Sequence, residues 1–350
     1  MDILADLATT ILAQLQKPTL AFLLGGMLLA ALGSRLVVPD AVYKFIVIVL
    51  LLKVGMGAGM SLRDADLAEL AAPALAAAGL GVAIVLLGGI TIARQRGVSR
   101  MDGMATAGLF GAVSASTLAA GMAMLEDEGI AYEGFIGALY PFMDIAALVT
   151  AIVLARLNPA RAAVPQGGGT VAMGGGGMDL PRAEGVSIRA ILVDTFRSPA
   201  ISALVLGLAV GMFAKTDAIF ESFYQQLFYG LLSILMLTMG MEAWQRLGEL
   251  RRVAGIYVLY GLLAPLVHGA MGLGAGLLVH EMTGFSQGGV VLLAVLAGSS
   301  SDISGPPTLK AALPEANPSA YLGTSTGLGT PVAILAIPLW IALAEMLMGA

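Results

Sequence analysis

The chain has 350 residues, of which 58% are hydrophobic and only 12% are charged, with a net charge of −5 and no cysteine. Soluble domains carry about 25% charged residues, so this composition excludes an ordinary soluble protein. The lack of cysteine excludes disulfides, thiol catalysis and cysteine-ligated metals. Basic stretches with interleaved aromatic residues are also missing, which argues against nucleic acid as a partner.

Ten apolar segments follow one another along the chain, and most are long enough to cross a bilayer. The first five cover about 18–34, 40–60, 68–94, 101–123 and 131–157, and the second five cover about 196–214, 222–245, 250–280, 286–312 and 317–347. The pattern predicts an all-α polytopic membrane protein with ten transmembrane helices. The N-terminal stretch MDILADLATTILAQLQKPT lacks the features of a signal peptide and is predicted to lie at the membrane interface as a short amphipathic segment.

A stretch of different composition separates the two sets of five segments. Residues 158–195 contain QGGGTVAMGGGGMDLPRAEG, which cannot bury a core and is typical of a flexible linker. The predicted organisation is a first five-helix repeat over residues 1–157, this linker, and a second five-helix repeat over residues 196–350.

The two halves resemble each other in sequence. The matched pairs are Pro18 with Pro199, Gly59 with Gly240, Ser114 with Ser301, and Asp144 with Thr330. They follow one order at a nearly constant offset. Because each half has an odd number of spans, the second copy must enter the membrane upside down. This predicts a 5+5 inverted repeat, which is a hallmark of secondary transporters.

Lysine and arginine are distributed unevenly between the two sides of the predicted bundle. If the N-terminus lies outside, about 14 of the 18 basic residues fall on the inner side. These are Arg35, Lys44, Arg94, Arg96, Arg100, Arg156, Arg161, Arg182, Arg189, Arg197, Arg246, Arg251, Arg252 and Lys310. The bias predicts that both termini face outside and that the linker is cytoplasmic. Lys53 lies within a span, toward its outer end, where it is expected to snorkel or to pair with an acid.

The stretch GSSSDISGPPT, from Gly298 to Thr308, interrupts the ninth span. Its glycines permit unwinding, and its two prolines suit the first turn of a new helix. Non-helical backbone at membrane depth is tolerated only where it is buried in protein or lines a wet cavity. We therefore expect the ninth span to end near Ser300 and a half-helix to restart near Gly305. The alternative is a kink in an ordinary packed helix, with the serines bonded to their own carbonyls.

The aligned stretch GAVSAST, from Gly111 to Thr117, is a milder copy without proline or acid. Taken alone it is as typical of a packing face as of a break. Its alignment with the stronger break favours the second interpretation. Two broken spans at matching positions of inverted halves are expected to cross near the bilayer midplane, where transporters bind their substrates.

The chemistry of the two breaks predicts an anion together with a cation. A helix N-terminus carries about +0.5 charge and free N–H donors. Neither break contains Arg or Lys, which favours a weakly charged oxyanion such as bicarbonate or a small carboxylate. Asp302 would repel that anion unless a cation lay between them. Na⁺ held by Asp302, neighbouring serine oxygens and unwound carbonyls is the simplest explanation.

Asp144 is the other acid that lies deep in a span. It is interpreted as a second cation ligand or a proton carrier, and the alternative is a carboxylate bonded to a neighbouring helix. The hydroxyl side chains near its repeat partner could add oxygens to the same cavity, or could serve packing alone. These further candidates are Thr324, Ser325, Thr326 and Thr330.

Six segments of the chain carry specific motifs. They are PTLAFLLGGMLLAALGSRLVVP, GLFGAVSASTLAA, GALYPFMDIAALVTAIV, GLLSILMLTMGMEAW, GSSSDISGPPTLKAALPEANPSAY and GTSTGLGTPVAI. Together they resemble the sodium-dependent bicarbonate transporter family known from cyanobacteria, from about Pro18 to Ile337. The chain departs from the family pattern at Ala115, where glycine is expected, and at Ala146, where proline is expected.

The resemblance implies Na⁺–bicarbonate symport across the inner (plasma) membrane of a bacterium by a ten-span homotrimer. It also implies inhibition by a trimeric PII-like regulatory protein at the cytoplasmic face, and it implies no cofactor. The implied anion site consists of Ser114, Ser116, Thr117, Ser304 and Gly305. The implied Na⁺ site consists of Asp302, Ser300, Ser301 and Asp144. In this hypothesis the broken spans rock or slide as a transport core against a scaffold of spans 1, 2, 6 and 7.

Two other functions stay open at this point. One is Na⁺-coupled symport of another small carboxylate, such as acetate or pyruvate. The other is an intramembrane enzyme, with Asp144 and Asp302 as a protease dyad or a serine paired with His268. The sequence disfavours the enzyme because the expected motifs around the acid and the serine do not match, and because an inverted repeat has no purpose in it.

Overall fold

The computed structural model describes residues 16–63, 67–157, 188–250 and 255–349, and over these ranges every regular element is helical. The predicted interfacial segment lies almost wholly outside the described residues. Most of the predicted linker lies outside them too. A helix, Ile188–Phe196, occupies the last part of the segment predicted as linker.

The helices of the first half follow the predicted segments. They are α1 (Pro18–Ala31), α2 (Asp40–Leu62), α3 (Leu67–Ile90), α4 (Arg100–Gly111), α5 (Ala115–Glu128) and α6 (Leu139–Arg156). A 3₁₀ turn at Gly134–Ala138 leads directly into α6.

The second half continues with nine α-helices of five residues or more in the described ranges. They are α7 (Ile188–Phe196), α8 (Pro199–Phe213), α9 (Gln226–Leu250), α10 (Gly255–Thr283), α11 (Gln287–Gly298), α12 (Gly305–Ala312), α13 (Pro318–Leu322), α14 (Thr330–Leu335) and α15 (Ile337–Met348). Helical turns over 217–225 precede α9, and a π-helical stretch, Gly323–Gly329, joins α13 to α14.

Seven helical stretches in the described ranges are long and apolar enough to cross a membrane. They are Asp40–Leu62, Glu69–Arg94, Arg100–Glu128, Gly134–Arg156, Asp217–Gly248, Gly255–Thr283 and Pro318–Met348. Three shorter apolar helices, α1, α8 and α11, stand where the first, sixth and ninth spans were predicted. The prediction of an all-helical, multi-pass membrane protein is confirmed.

The helices α1, α2, α8 and α9 pack against one another in two close pairs. α1 lies along α9, and α2 lies along α8. At Gly26 of α1 an added methyl group would lie 2.1 Å from the backbone oxygen of Leu237, and at Gly59 of α2 it would lie 2.1 Å from that of Leu208. The glycines therefore allow backbone-to-backbone contact, as small residues do at membrane helix interfaces. We call these four helices the frame.

The remaining membrane helices surround the two interrupted ones. α10 lies along α11, and α3 lies along α6 and α4. The most apolar window of the Arg100–Glu128 stretch is wholly buried, and so is every residue of α11 from Gly288 to Gly298. Neighbouring helices thus separate the interrupted helices from lipid, which irregular backbone at membrane depth requires.

Candidate functional site

Two helix breaks form the centre of the candidate site. α11 ends at Gly298 and α12 begins at Gly305, close to the predicted ends. α4 ends at Gly111 and α5 begins at Ala115, with extended backbone at Ser114. The structure therefore confirms both predicted breaks. Ser114 caps α5, because its hydroxyl oxygen accepts hydrogen bonds from the backbone N–H of Thr117 at 3.1 Å and from the Thr117 hydroxyl at 3.0 Å.

The two breaks touch each other through polar contacts. The backbone N–H of Ser114 donates to the Ser299 hydroxyl at 3.1 Å. The Ser116 hydroxyl donates to Oδ2 of Asp302 at 2.7 Å. The carboxylate from the second break therefore lies at the N-terminus of α5, where a helix presents free N–H groups and partial positive charge.

A second group of polar side chains surrounds Asp144 on α6. Its Oδ1 accepts hydrogen bonds from the backbone N–H of Val113 at 3.0 Å and from the Ser304 hydroxyl at 3.1 Å. Ser304 also lies within hydrogen-bonding distance of the hydroxyls of Tyr140, at 3.1 Å, and Ser301, at 2.9 Å. Asp144 thus connects both breaks to one helix.

A third group joins the second break to the π-helical stretch. The hydroxyls of Ser300 and Thr330 lie 3.1 Å apart, and the Thr330 hydroxyl also donates to the Ser300 carbonyl at 3.3 Å. The Ser325 hydroxyl donates to the Ser301 carbonyl at 3.3 Å. Hydroxyl and carbonyl oxygens are thereby concentrated beside the unwound backbone, as a hard cation would need.

Two carboxylate oxygens in this region are buried without a hydrogen-bond partner. They are Oδ1 of Asp302 and Oδ2 of Asp144. A buried carboxylate oxygen with no donor is costly, and a bound cation would offset that cost. The side-chain and carbonyl atoms that could bind a cation in both groups are all oxygens, which fits Na⁺.

A cavity of about 520 Å³ leads away from Asp302 between the frame and the interrupted helices. Its lining includes Asp40 and Tyr43 of α2, Glu242 and Arg246 of α9, and Thr326. Glu242 and Arg246 form an ion pair at 2.6 Å. Asp302 and the charged side chains of two frame helices therefore line one cavity.

The predicted site residues fall into these groups with few exceptions. Ser114, Ser116 and Thr117 lie at the start of α5. Ser304 lies instead beside Asp144. The backbone N–H of Gly305 already donates to the Ser301 hydroxyl at 2.8 Å. Among the further candidates, Ser325 and Thr330 join the Ser300 group and Thr326 lines the cavity. The Thr324 hydroxyl only donates to the carbonyl of Ala320, one turn earlier.

The sequence reasoning missed three contributors. Ser299 accepts the hydrogen bond from Ser114, Val113 gives its backbone N–H to Asp144, and Tyr140 contacts Ser304. Only Tyr140 could have been predicted from the sequence. It precedes Asp144 by four residues and therefore lies on the same face of the helix.

Interrupted helices that meet through their polar breaks, enclosed by other membrane helices, define the class of polytopic membrane transporters. The family comparison agrees with that class and narrows it. The chain belongs to the Na⁺-dependent bicarbonate transporter superfamily, whose family model matches residues 18–345. This is a family of transporters and not of enzymes, so the enzymatic alternative is set aside. No curated protein matched the chain.

Proposed function

We propose that this protein is a Na⁺-dependent bicarbonate symporter for inorganic carbon uptake. The observation that carries the proposal is the 2.7 Å hydrogen bond between Ser116 and Asp302. This bond joins Asp302, which we propose as a Na⁺ ligand, to Ser116, which we propose as a contact of the anion. Family membership supplies the identity of the two ions.

The shared contact suggests how the two ions depend on each other. In this structure the Asp302 carboxylate accepts a hydrogen bond from the Ser116 hydroxyl and lies at the N-terminus of α5. Na⁺ bound to Asp302 would neutralise that carboxylate and draw it toward the cation. The Ser116 hydroxyl and the helix N-terminus would then be available to an anion. Na⁺ therefore favours bicarbonate binding, and by linkage bicarbonate favours Na⁺ binding.

The proposed anion site consists of Ser114, Ser116 and Thr117 together with the α12 start at Ser304 and Gly305. The proposed Na⁺ ligands are Asp302, Ser300 and Ser301, with Asp144 as a second carboxylate. Ser325 and Thr330 add oxygens through their contacts with the Ser300 group. The unpartnered oxygens of Asp302 and Asp144 support this division.

The proposed architecture is a ten-span 5+5 inverted repeat whose breaks cross near the midplane. Two equivalent contacts support it. The alignment of Asp144 with Thr330, and of Ser114 with Ser301, also places Val113 on Ser300. Asp144 contacts Val113 in one half, and Thr330 contacts Ser300 in the other.

The proposed orientation has both termini outside and the linker in the cytoplasm. Arg246 lines the cavity and belongs to the basic residues assigned to the inner side. The structure would then be open toward the cytoplasm.

A homotrimer and a PII-like regulator at the cytoplasmic face are proposed on the family resemblance alone. Cross-linking with mass analysis of the purified protein tests the trimer.

Uptake of labelled bicarbonate into proteoliposomes tests the proposal. We expect uptake that requires an inward Na⁺ gradient and is lost when K⁺ replaces Na⁺. Excess unlabelled acetate or pyruvate should leave the uptake unchanged. Uptake without Na⁺ would contradict the proposed coupling. Strong inhibition by acetate or pyruvate would indicate that the protein is a carboxylate symporter instead.

A further inference from the structure

A second charged cluster lies at the C-terminal end of α5, far from both breaks. Lys53 of α2 is only 4% exposed, and its ammonium group lies 3.6 Å from Oε1 of Glu126. It also lies 3.8 Å from the ring centroid of Phe228 on α9. Of the two alternatives expected for Lys53, snorkelling or pairing with an acid, the structure shows the pair. The acid comes from an interrupted helix rather than from the frame.

Glu126 receives further contacts that fix it at this position. The hydroxyls of Tyr132 and Tyr229 donate to its two carboxylate oxygens at 2.7 and 2.9 Å. Two residues further along, Glu128 forms an ion pair with Lys17 at the start of α1, at 2.5 Å. The end of α5 is thus connected to three frame helices, α1, α2 and α9, by charged and polar side chains.

The composition of this contact is unusual for a static packing interface. A buried ion pair is costly to desolvate, and apolar side chains of similar size would stabilise a permanent interface at least as well. The Lys53–Glu126 separation of 3.6 Å also exceeds that of a good hydrogen bond. Charged side chains suit a contact that must open, because water can stabilise them once they separate.

Helix α5 joins this cluster directly to the candidate site. It is one uninterrupted helix of 14 residues, with Ser116 in its first turn and Glu126 in its last. At 1.5 Å per residue these two positions are about 15 Å apart. Because an α-helix is stiff over this length, any displacement of its N-terminus would also displace Glu126 relative to Lys53.

We propose that the Lys53–Glu126 pair is a latch that closes the side of the protein opposite the cavity. It holds α5 against α2 and α9 while the site communicates with the cavity, and it separates when the site opens to the other side. Lys53 is therefore a positioning residue for transport and does not contact the carried ions in this state. The inference rests on the alternating access that the proposed symport requires.

Cysteine accessibility can test the latch, because the natural chain contains no cysteine. Met122 is 6% exposed and precedes Glu126 by one helical turn on the same face of α5. In the Met122→Cys protein, a membrane-impermeant maleimide applied from the side opposite the cavity should react slowly. Adding Lys53→Met or Glu126→Gln should raise the labelling rate about fivefold or more. Coupling between two sites of a protein usually changes an equilibrium by at least this factor.

Two variants serve as matched controls. Lys53→Arg retains the charge and should retain slow labelling. Lys44→Met removes the same charge from the same helix, but from an exposed pair with Asp40 on the cavity side, and should not change the rate. Melting temperatures in detergent identify any variant that has lost its fold, and Glu126→Gln keeps an oxygen acceptor for the tyrosines if Lys53→Met proves unstable.

The double variant Lys53→Met/Glu126→Gln decides whether the two residues act as a pair. A latch predicts that the double variant is labelled no faster than the faster single variant. Equal labelling in parent and single variants, or effects that multiply in the double variant, would overturn the proposal. The assay requires neither Na⁺ nor bicarbonate, so a failed latch is distinguishable from a failed assignment of the carried ions.

Discussion

Asp144 binds the backbone N–H of Val113 at 3.0 Å, so the helix that carries the acid is fixed to the break between α4 and α5. Val113 is fully buried and lies in the non-helical segment. A buried N–H without an acceptor costs about 1–3 kcal/mol. Asp144 therefore has a structural role in holding the break, in addition to the proposed role as an ion ligand.

Substitution of Asp144 by Ala and by Asn should separate these two roles. Asp144→Ala leaves the buried N–H of Val113 without its acceptor and removes one of the hydrogen-bond partners of Ser304, so it should lower stability by about 1–3 kcal/mol. Asp144→Asn keeps an acceptor oxygen and should melt close to the parent, but should lose most of the stabilisation that added NaCl gives the parent. Thermal melting in NaCl and in KCl measures both effects. An Asn variant with full Na⁺ stabilisation would remove Asp144 from the cation site.

Asp302→Asn should weaken Na⁺ dependence more than it weakens folding. The amide oxygen can still accept the hydrogen bond from Ser116, but the negative charge that attracts Na⁺ is gone. We expect the Na⁺ concentration for half-maximal uptake to rise about tenfold or more, equivalent to about 1.4 kcal/mol. The measurement is a Na⁺ titration of bicarbonate uptake in proteoliposomes. An unchanged titration curve in a folded variant would exclude Asp302 as the cation ligand.

Ser114 and Ser116 should differ in what their loss affects. Ser114→Ala removes the cap of α5 as well as a proposed contact of the anion, and should lower stability by about 1 kcal/mol. Ser116→Ala leaves the cap intact and should instead raise the half-saturating bicarbonate concentration about tenfold, because a hydrogen bond to a charged group is lost. Melting curves and uptake kinetics of both variants make the comparison. If both lose stability alike and neither changes half-saturation, the anion site lies elsewhere.

Gly305→Ala should disrupt the second break by steric conflict. A methyl group there would lie 2.9 Å from the Ser301 hydroxyl oxygen and 2.6 Å from a methyl carbon of Leu109. The cost of such overpacking is typically about 1–3 kcal/mol, so uptake should fall about tenfold or more. Gly79→Ala is the matched control, because a methyl group at that exposed helical position would meet no atom within 4 Å. Equal uptake in both variants would contradict the packed geometry of the break.

The sequence predicted the break at Gly298–Gly305 closely because glycine and proline act on the local backbone. The break before Ala115 contains no proline and was predictable only through the alignment of the two halves. Contacts between helices that are distant along the chain could not be predicted from local sequence patterns. The need of Lys53 for an acid follows from its place in a span, but the choice of Glu126 depends on how α5 crosses α2. Ser299 escaped notice for the same reason.

The glycine contacts between α1 and α9 and between α2 and α8 have a mechanical consequence. At Gly26 and Gly240 the two backbones touch, and sliding by one turn would bring Phe22 or Ala30 of α1, or Met236 or Trp244 of α9, into the space of a hydrogen atom. This seam therefore resists shear. The frame should then behave as one stiff body during a transport cycle. Elastic deformation would be concentrated at its boundary with α5, where longer side chains meet. Annular lipids around the frame would consequently experience little change in membrane thickness while the interrupted helices move.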